Sequence, residues 1–251
     1  MTAKRTPLKL GKEPLIDVIC GVYFESNEPV DALLPGLLLA TLSGKTPKFE
    51  PLLVGRLPLE MREGDSNLQQ APVMRVVVDE QFSILIGARW LGVGCLMPYA
   101  GWSAYKPMIE KVFEVLKNVS SIKNIERLSL KYVDFIEKTA TNSPLSGLQL
   151  QIDIAGRKIT NQVTQIRTEI QDSDFLHAVT ILSHATAMRP DSQNRDGVVV
   201  DVDTHMFPRI PCENFLVEMP GLLENIHAAN KEFFFALLTE SGLSELKPIY
   251  D

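Results

Sequence analysis

Asp201, Asp203 and His205 alternate along the Val-rich stretch Val198–Met206, and alternation is the spacing that brings side chains to one face of a β-strand. Two carboxylates and an imidazole on one face would ligate a divalent cation, or would supply the acid and base of a metal-dependent hydrolase. The same spacing also describes a solvated strand face with Val200, Val202 and Thr204 or Met206 turned inward. Any one-sided antiparallel sheet produces that alternation, so the solvated face is the preferred reading.

The remaining chemistry-bearing residues are scattered. His177 and His184 have opposite parity on one predicted strand and cannot share a site if it is regular; His227, beside Ile226 and near Asn230, reads as an edge-of-core histidine. Cys20, Cys95 and Cys212 are odd in number, too far apart for a CxxC pair and flanked by apolar residues, the pattern of buried free thiols. Gly92 and Gly94 form only G-x-G, without a third glycine or a Walker lysine. Ser103 lacks the glycine two residues later that a nucleophile elbow needs, and reads as a helix N-cap. No catalytic residue and no cofactor is expected. The aromatic candidates for ligand or partner contact are Trp90, Trp102, Phe233, Phe234 and Phe235. Either tryptophan would line an apolar pocket or pack in a core. Three consecutive phenylalanines span about 200° of a helix, so at least one should meet a second core or a contact surface.

The elements that must position these residues follow from periodicity. Leu15–Glu25 reads as a strand, Val30–Leu42 as a leucine-rich helix, and Lys48–Leu57, Val73–Asp79, Phe82–Ala88 and Trp90–Met97 as strands. Tyr105, Met108, Ile109, Val112, Phe113 and Leu116 recur at helical steps, with Pro107 tolerated in the first turn. In Ile125–Glu137, Leu128, Leu130 and Tyr132 alternate with Arg127, Ser129 and Lys131, the period of a strand. Pro144–Ile154 is ambiguous. Gln162–Glu169, Phe175–Met188 and Val198–Met206 read as strands, and a long helix runs from about Pro220 to Leu238.

These elements predict an α+β fold: two β-α-β(3–4)-α units, about residues 14–120 and 121–247, forming curved antiparallel sheets with long helices packed on one face. The join at Ser120–Asn124 is short and carries no linker, so residues 1–251 are expected to form a single domain.

Gross composition narrows the partners. The net charge of -6 disfavours nucleic acid, which needs a cationic face, although Arg56, Arg62, Arg75 and Arg89 fall in one region. The apolar runs Ala32–Leu42 and Phe233–Leu238 fall short of the roughly 20 residues that cross a bilayer. Met1–Lys12 is basic but is followed by Glu13, Pro14 and Asp17, which does not read as a secretory signal. A cytoplasmic location is the expectation.

Several segments carry a resemblance: Pro14–Val18, Gly101-Trp102-Ser103-Ala104-Tyr105, Leu128-Ser129-Leu130-Lys131-Tyr132-Val133-Asp134-Phe135-Ile136, Val200–Asp203, and Leu222–Glu240 with His227 and Phe233–Phe235. Through nearly its whole length the chain resembles a sporadically distributed bacterial family of uncharacterised proteins of about this size. The resemblance brings no catalytic residues with it. The patchy distribution of that family resembles that of anti-phage defence and toxin–antitoxin genes. What it implies is a non-enzymatic component that binds a protein partner encoded nearby. The alternative is a pocket protein for a lipid or other apolar ligand, walled by the Val30–Leu42 helix and Phe233–Phe235, and the second alternative is the metal-dependent hydrolase centred on Asp201.

Overall fold

The computed structural model describes residues 6–42, 44–137, 143–188 and 194–250. Strands β1 (Lys9–Leu10) and β2 (Leu15–Ser26) open the chain, followed by α1 (Leu34–Thr41), β3 (Lys48–Pro51) and two short helices, α2 (Leu59–Glu63) and α3 (Ser66–Gln69). Next come β4 (Met74–Val77), β5 (Phe82–Gly87), β6 (Trp90–Cys95), α4 (Trp102–Phe113) and the long β7 (Ile122–Glu137). A small ribbon, β8 (Asp153–Ile154) and β9 (Arg157–Lys158), precedes β10 (Gln165–Asp172), β11 (Phe175–Met188), β12 (Asn194–Met206) and β13 (Ile210–Pro211). Helices α5 (Cys212–Ala236) and α6 (Glu240–Glu245) and strand β14 (Pro248–Ile249) end it. The polar segment 189–193, expected as a loop, lies outside the described residues.

This architecture overturns the expected one. Among the described residues strand accounts for 41% against 28% helix, and ten strands form one antiparallel sheet with a few short helices, in place of long helices laid across two repeated units. The physical reason lies in the element lengths. Strands β7, β11 and β12 run to 16, 14 and 13 residues, and every helix but α5 has 12 residues or fewer. The leucine-rich stretch yields only the eight residues of α1. Pro35 and Gly36 sit within it, and Leu33 and Leu39 remain exposed. Among the described residues no helix is long and apolar enough to cross a membrane.

The chain divides into two compact units. The first comprises Met1–Ile16, Tyr132–Thr204 and His227–Asp251. Its β10–β11 hairpin pairs from Gln165↔Leu182 to Asp172↔Phe175. Its core gathers Val179, Ile181, Val198, Val200 and Val202 against Phe234, Leu238, Leu243 and Leu246. One polar network lies inside: Asn230 Nδ2 donates to the Val202 carbonyl at 3.0 Å and to Thr204 Oγ1 at 2.9 Å, and His177 Nδ1 lies 3.0 Å from the same hydroxyl. These groups satisfy one another, as burial requires.

The second unit comprises Asp17–Lys131 and His205–Ile226. Strands β5 and β6 are buried along their whole length, and β6 pairs with β2 from Val18↔Cys95 to Tyr23↔Trp90. Tyr105, Ile109 and Val112 of α4 and the following Leu116 are buried, as their spacing predicts; Met108 is half-buried and Lys111 exposed. Gly92 leaves room for a neighbouring ring: a Cβ there would lie 2.6 Å from Cζ2 of the buried Trp90 indole, which also covers Gly21.

Candidate functional site

Within the second unit an open cleft of about 440 Å³ is lined by Tyr23, Phe24, Glu25, Gln69, Gln70, Arg89 and Glu126. Four pieces of chain meet there. Strand β2 supplies Tyr23 to Glu25, the turn between β5 and β6 supplies Arg89, the end of α3 and the turn after it supply Gln69 and Gln70, and β7 supplies Glu126. The Phe24 N–H donates to the Arg89 carbonyl at 3.2 Å, which ties the turn to β2.

Tyr23 is the fixed point of the cleft. Arg127 of β7 lays its guanidinium 3.6 Å from the centroid of the Tyr23 ring, a cation–π contact. The same guanidinium donates to Gln70 Oε1 at 3.4 Å. Trp90 meets the tyrosine ring at 5.7 Å and a 42° tilt, and Glu25 accepts from Asn124 Nδ2 at 3.0 Å. The lining thus combines aromatic rings, two primary amides, two carboxylates and one guanidinium. Such groups can hold a ligand by stacking, hydrogen bonding and charge.

The first unit contains a different feature. Asp134 of β7 is only 5% exposed, and burial pushes its carboxyl up to about 8, with the charges of Glu13 and Asp201 adding to the effect. Glu13 is itself raised by partial burial of its carboxyl, although the residue as a whole is exposed. At neutral pH Asp134 holds its proton.

Asp201 and Asp203 are half-buried in the first unit while Val200, Val202 and Thr204 turn inward; His205 is buried and belongs to the second unit. Among the described residues no group of three or more His, Cys, Asp or Glu side chains is placed to hold a metal ion. Trp90 is buried, and Trp102 is half-buried, edge-on to Tyr105 at 6.2 Å and donating to Glu224 Oε2 at 3.1 Å. Phe234 is buried in the first unit's core, and Phe233 and Phe235 pack half-buried against that same core. Phe233 stacks on His177 with centroids 4.1 Å apart. Cys20, Cys95 and Cys212 are buried and form no disulfide, and burial raises the thiols of Cys95 and Cys212. Gly101, at φ 85°, takes the N-cap position of α4 instead of Ser103.

The residues missed from sequence include Tyr23, Phe24, Glu25, Gln69, Gln70, Glu126, Arg127 and Asp134. For Asp134 a signal existed, since it shares the parity of the buried Leu128 and Leu130. Fold and cleft together describe a strand-dominated protein with an open cleft of polar and aromatic lining. No family model and no curated protein matches the chain.

Proposed function

We propose that this chain is a non-enzymatic binding component whose recognition site is the cleft beside Tyr23. The observation that carries the reading is the Arg127 guanidinium stacked 3.6 Å over the Tyr23 ring and reaching Gln70 of the lining. An aromatic platform already braced by a cation and flanked by amides is preorganised for contact, which lowers the ordering cost of binding. The mixed lining, with Glu25 and Glu126 set against Arg89, suits a polar segment of a protein better than a lipid tail. The resemblance to a patchily distributed bacterial family gives this reading its setting: a partner encoded beside the chain, in an anti-phage defence or toxin–antitoxin locus.

The test is co-expression with the products of the neighbouring genes. A complex that forms with the native chain and is lost in Tyr23→Ala and Arg89→Glu supports the reading. A complex that survives both substitutions, or enzymatic turnover that survives them, overturns it.

A further inference from the structure

Strand β10 ends the sheet order, and among the described residues only β11 pairs with it. Seven of its eight residues are exposed and Ile166 is half-buried. Long bare edges of this kind are templates for pairing, and proteins ordinarily blunt them with lysine, proline, bulges or shortness. Strand β3, which ends the same order at its other extreme, shows that protection: it has four residues, including Lys48 and Pro51. Strand β10 has eight residues and neither lysine nor proline, and its charges, Arg167, Glu169 and Asp172, are of both signs.

The direction of its free backbone groups follows from one hydrogen bond. Ser183 N–H donates to the Thr164 carbonyl at 2.9 Å, so Thr164 is turned toward β11. Antiparallel alternation then turns Ile166, Thr168 and Ile170 toward β11 as well, and turns the N–H and C=O of Gln165, Arg167, Glu169 and Gln171 outward.

The sequence of this edge, Gln165-Ile166-Arg167-Thr168-Glu169-Ile170-Gln171, is self-complementary about Thr168. We propose that β10 pairs antiparallel with β10 of a second copy of this chain, across a two-fold axis that sets Thr168 opposite Thr168. Arg167 then faces Glu169 of the second copy, Ile166 faces Ile170, and Gln165 faces Gln171. Opposite charges and matched apolar pairs directly across strands are stabilising. Each outward N–H and C=O from Gln165 to Gln171 gains a partner.

Neighbouring registers fail. Moving the axis by one residue sets Arg167 against Arg167 or Glu169 against Glu169, and like charges directly opposite are unfavourable. Moving it by half a residue sets outward groups opposite inward ones and reverses the faces. Within one chain Arg167 and Glu169 already lie 3.1 Å apart on the same strand face, so both are positioned for a partner across the edge. A single strand pair is a small interface, so the dimer should dissociate on dilution.

Sedimentation velocity over a concentration series tests the pairing with the full chain. The native protein is expected to shift from monomer to dimer as concentration rises. Arg167→Glu and Glu169→Arg should each remain monomeric where the native chain is dimeric. The double exchange Arg167→Glu/Glu169→Arg, and an equimolar mixture of the two single variants, should both restore the dimer, because each recreates opposite charges across the axis. Thr168→Cys should form a disulfide-linked dimer on oxidation, since only residue 168 faces itself, whereas Ile170→Cys should not. All these positions are exposed, so circular dichroism and melting temperature should match those of the native chain. A native chain that stays monomeric throughout, single variants that dimerise like it, or a mixture that fails to dimerise would each overturn the proposal.

Discussion

Asp201 acts electrostatically on Asp134, a carboxyl that burial already holds in its neutral form. The unfolded chain gives up this proton near the ordinary value of 3.8, while the folded chain keeps it up to about 8. Unfolding between those limits therefore releases a proton, and stability falls as pH rises from about 4 to about 8, then levels. The ceiling on that loss is about 6 kcal/mol for the single group. Asp134→Asn, which mimics the protonated carboxyl, should flatten this slope and raise stability at pH 8. Urea denaturation at a series of pH values checks it; parallel pH profiles for variant and native chain would exclude Asp134 as the cause.

The Trp90 indole occupies space that a side chain on Gly92 would need. Gly92→Ala drives a Cβ to 2.6 Å from the ring, and the Trp90 side chain is itself buried. A loss of about 3 kcal/mol is expected from overpacking. Gly221 of α5 is the matched contrast, because a Cβ there meets nothing within 4 Å. Gly221→Ala should stabilise by about 0.5–1 kcal/mol through helix propensity. Chemical denaturation should give opposite signs for the two substitutions.

Local periodicity made much of the fold legible. The spacing predicts a strand over Leu15–Glu25 and the structure has Leu15–Ser26; the stripe from Tyr105 to Leu116 lies inward as its steps require. Pro220 misleads by the same local logic. Proline favours the first turn of a helix, yet α5 begins at Cys212 and carries Pro220 in its interior. The ten-stranded sheet was not legible, because strand partners are chosen by contacts distant in sequence. The cleft is hidden for the same reason: Tyr23, Gln70, Arg89 and Glu126 come from four separate elements and share no spacing. Asp134 was within reach, since the parity that buries Leu128 and Leu130 buries it too.

Adjacent positions on α4 face opposite environments. Val112 is fully buried and Lys111 is exposed. Val112→Asp would place a carboxylate without a designed partner in the second unit's core, at a cost of several kcal/mol and a large fraction of ordinary domain stability. Lys111→Asp should change stability by less than about 0.5 kcal/mol. Thermal melts of the two variants decide the face, and similar melting temperatures would mean that α4 is rotated from the orientation described.

Tyr105 places a hydroxyl between two strands. It accepts from the Cys20 N–H at 2.8 Å and donates to the Val93 carbonyl, and Cys20 and Val93 face each other in the β2–β6 register. Burial raises the phenol well above its usual range, so the hydroxyl keeps the proton that the second bond requires. Phe82 stacks on the ring at 6.3 Å and Tyr99 and Trp102 meet it edge-on, so the ring is held independently of its hydroxyl. Tyr105→Phe should therefore leave the packing intact and remove only the bridge. The Cys20 N–H and the Val93 carbonyl would then each lose this hydrogen bond, a cost of about 1–3 kcal/mol. Two measurements separate this from a general packing defect. Denaturation should show the loss of stability, and hydrogen exchange should show faster exchange at the Cys20 amide while the Ile109 and Val112 amides of α4 slow or accelerate only in line with global stability. Unchanged Cys20 exchange would mean that the two strands close the gap themselves and that the hydroxyl bridge is dispensable.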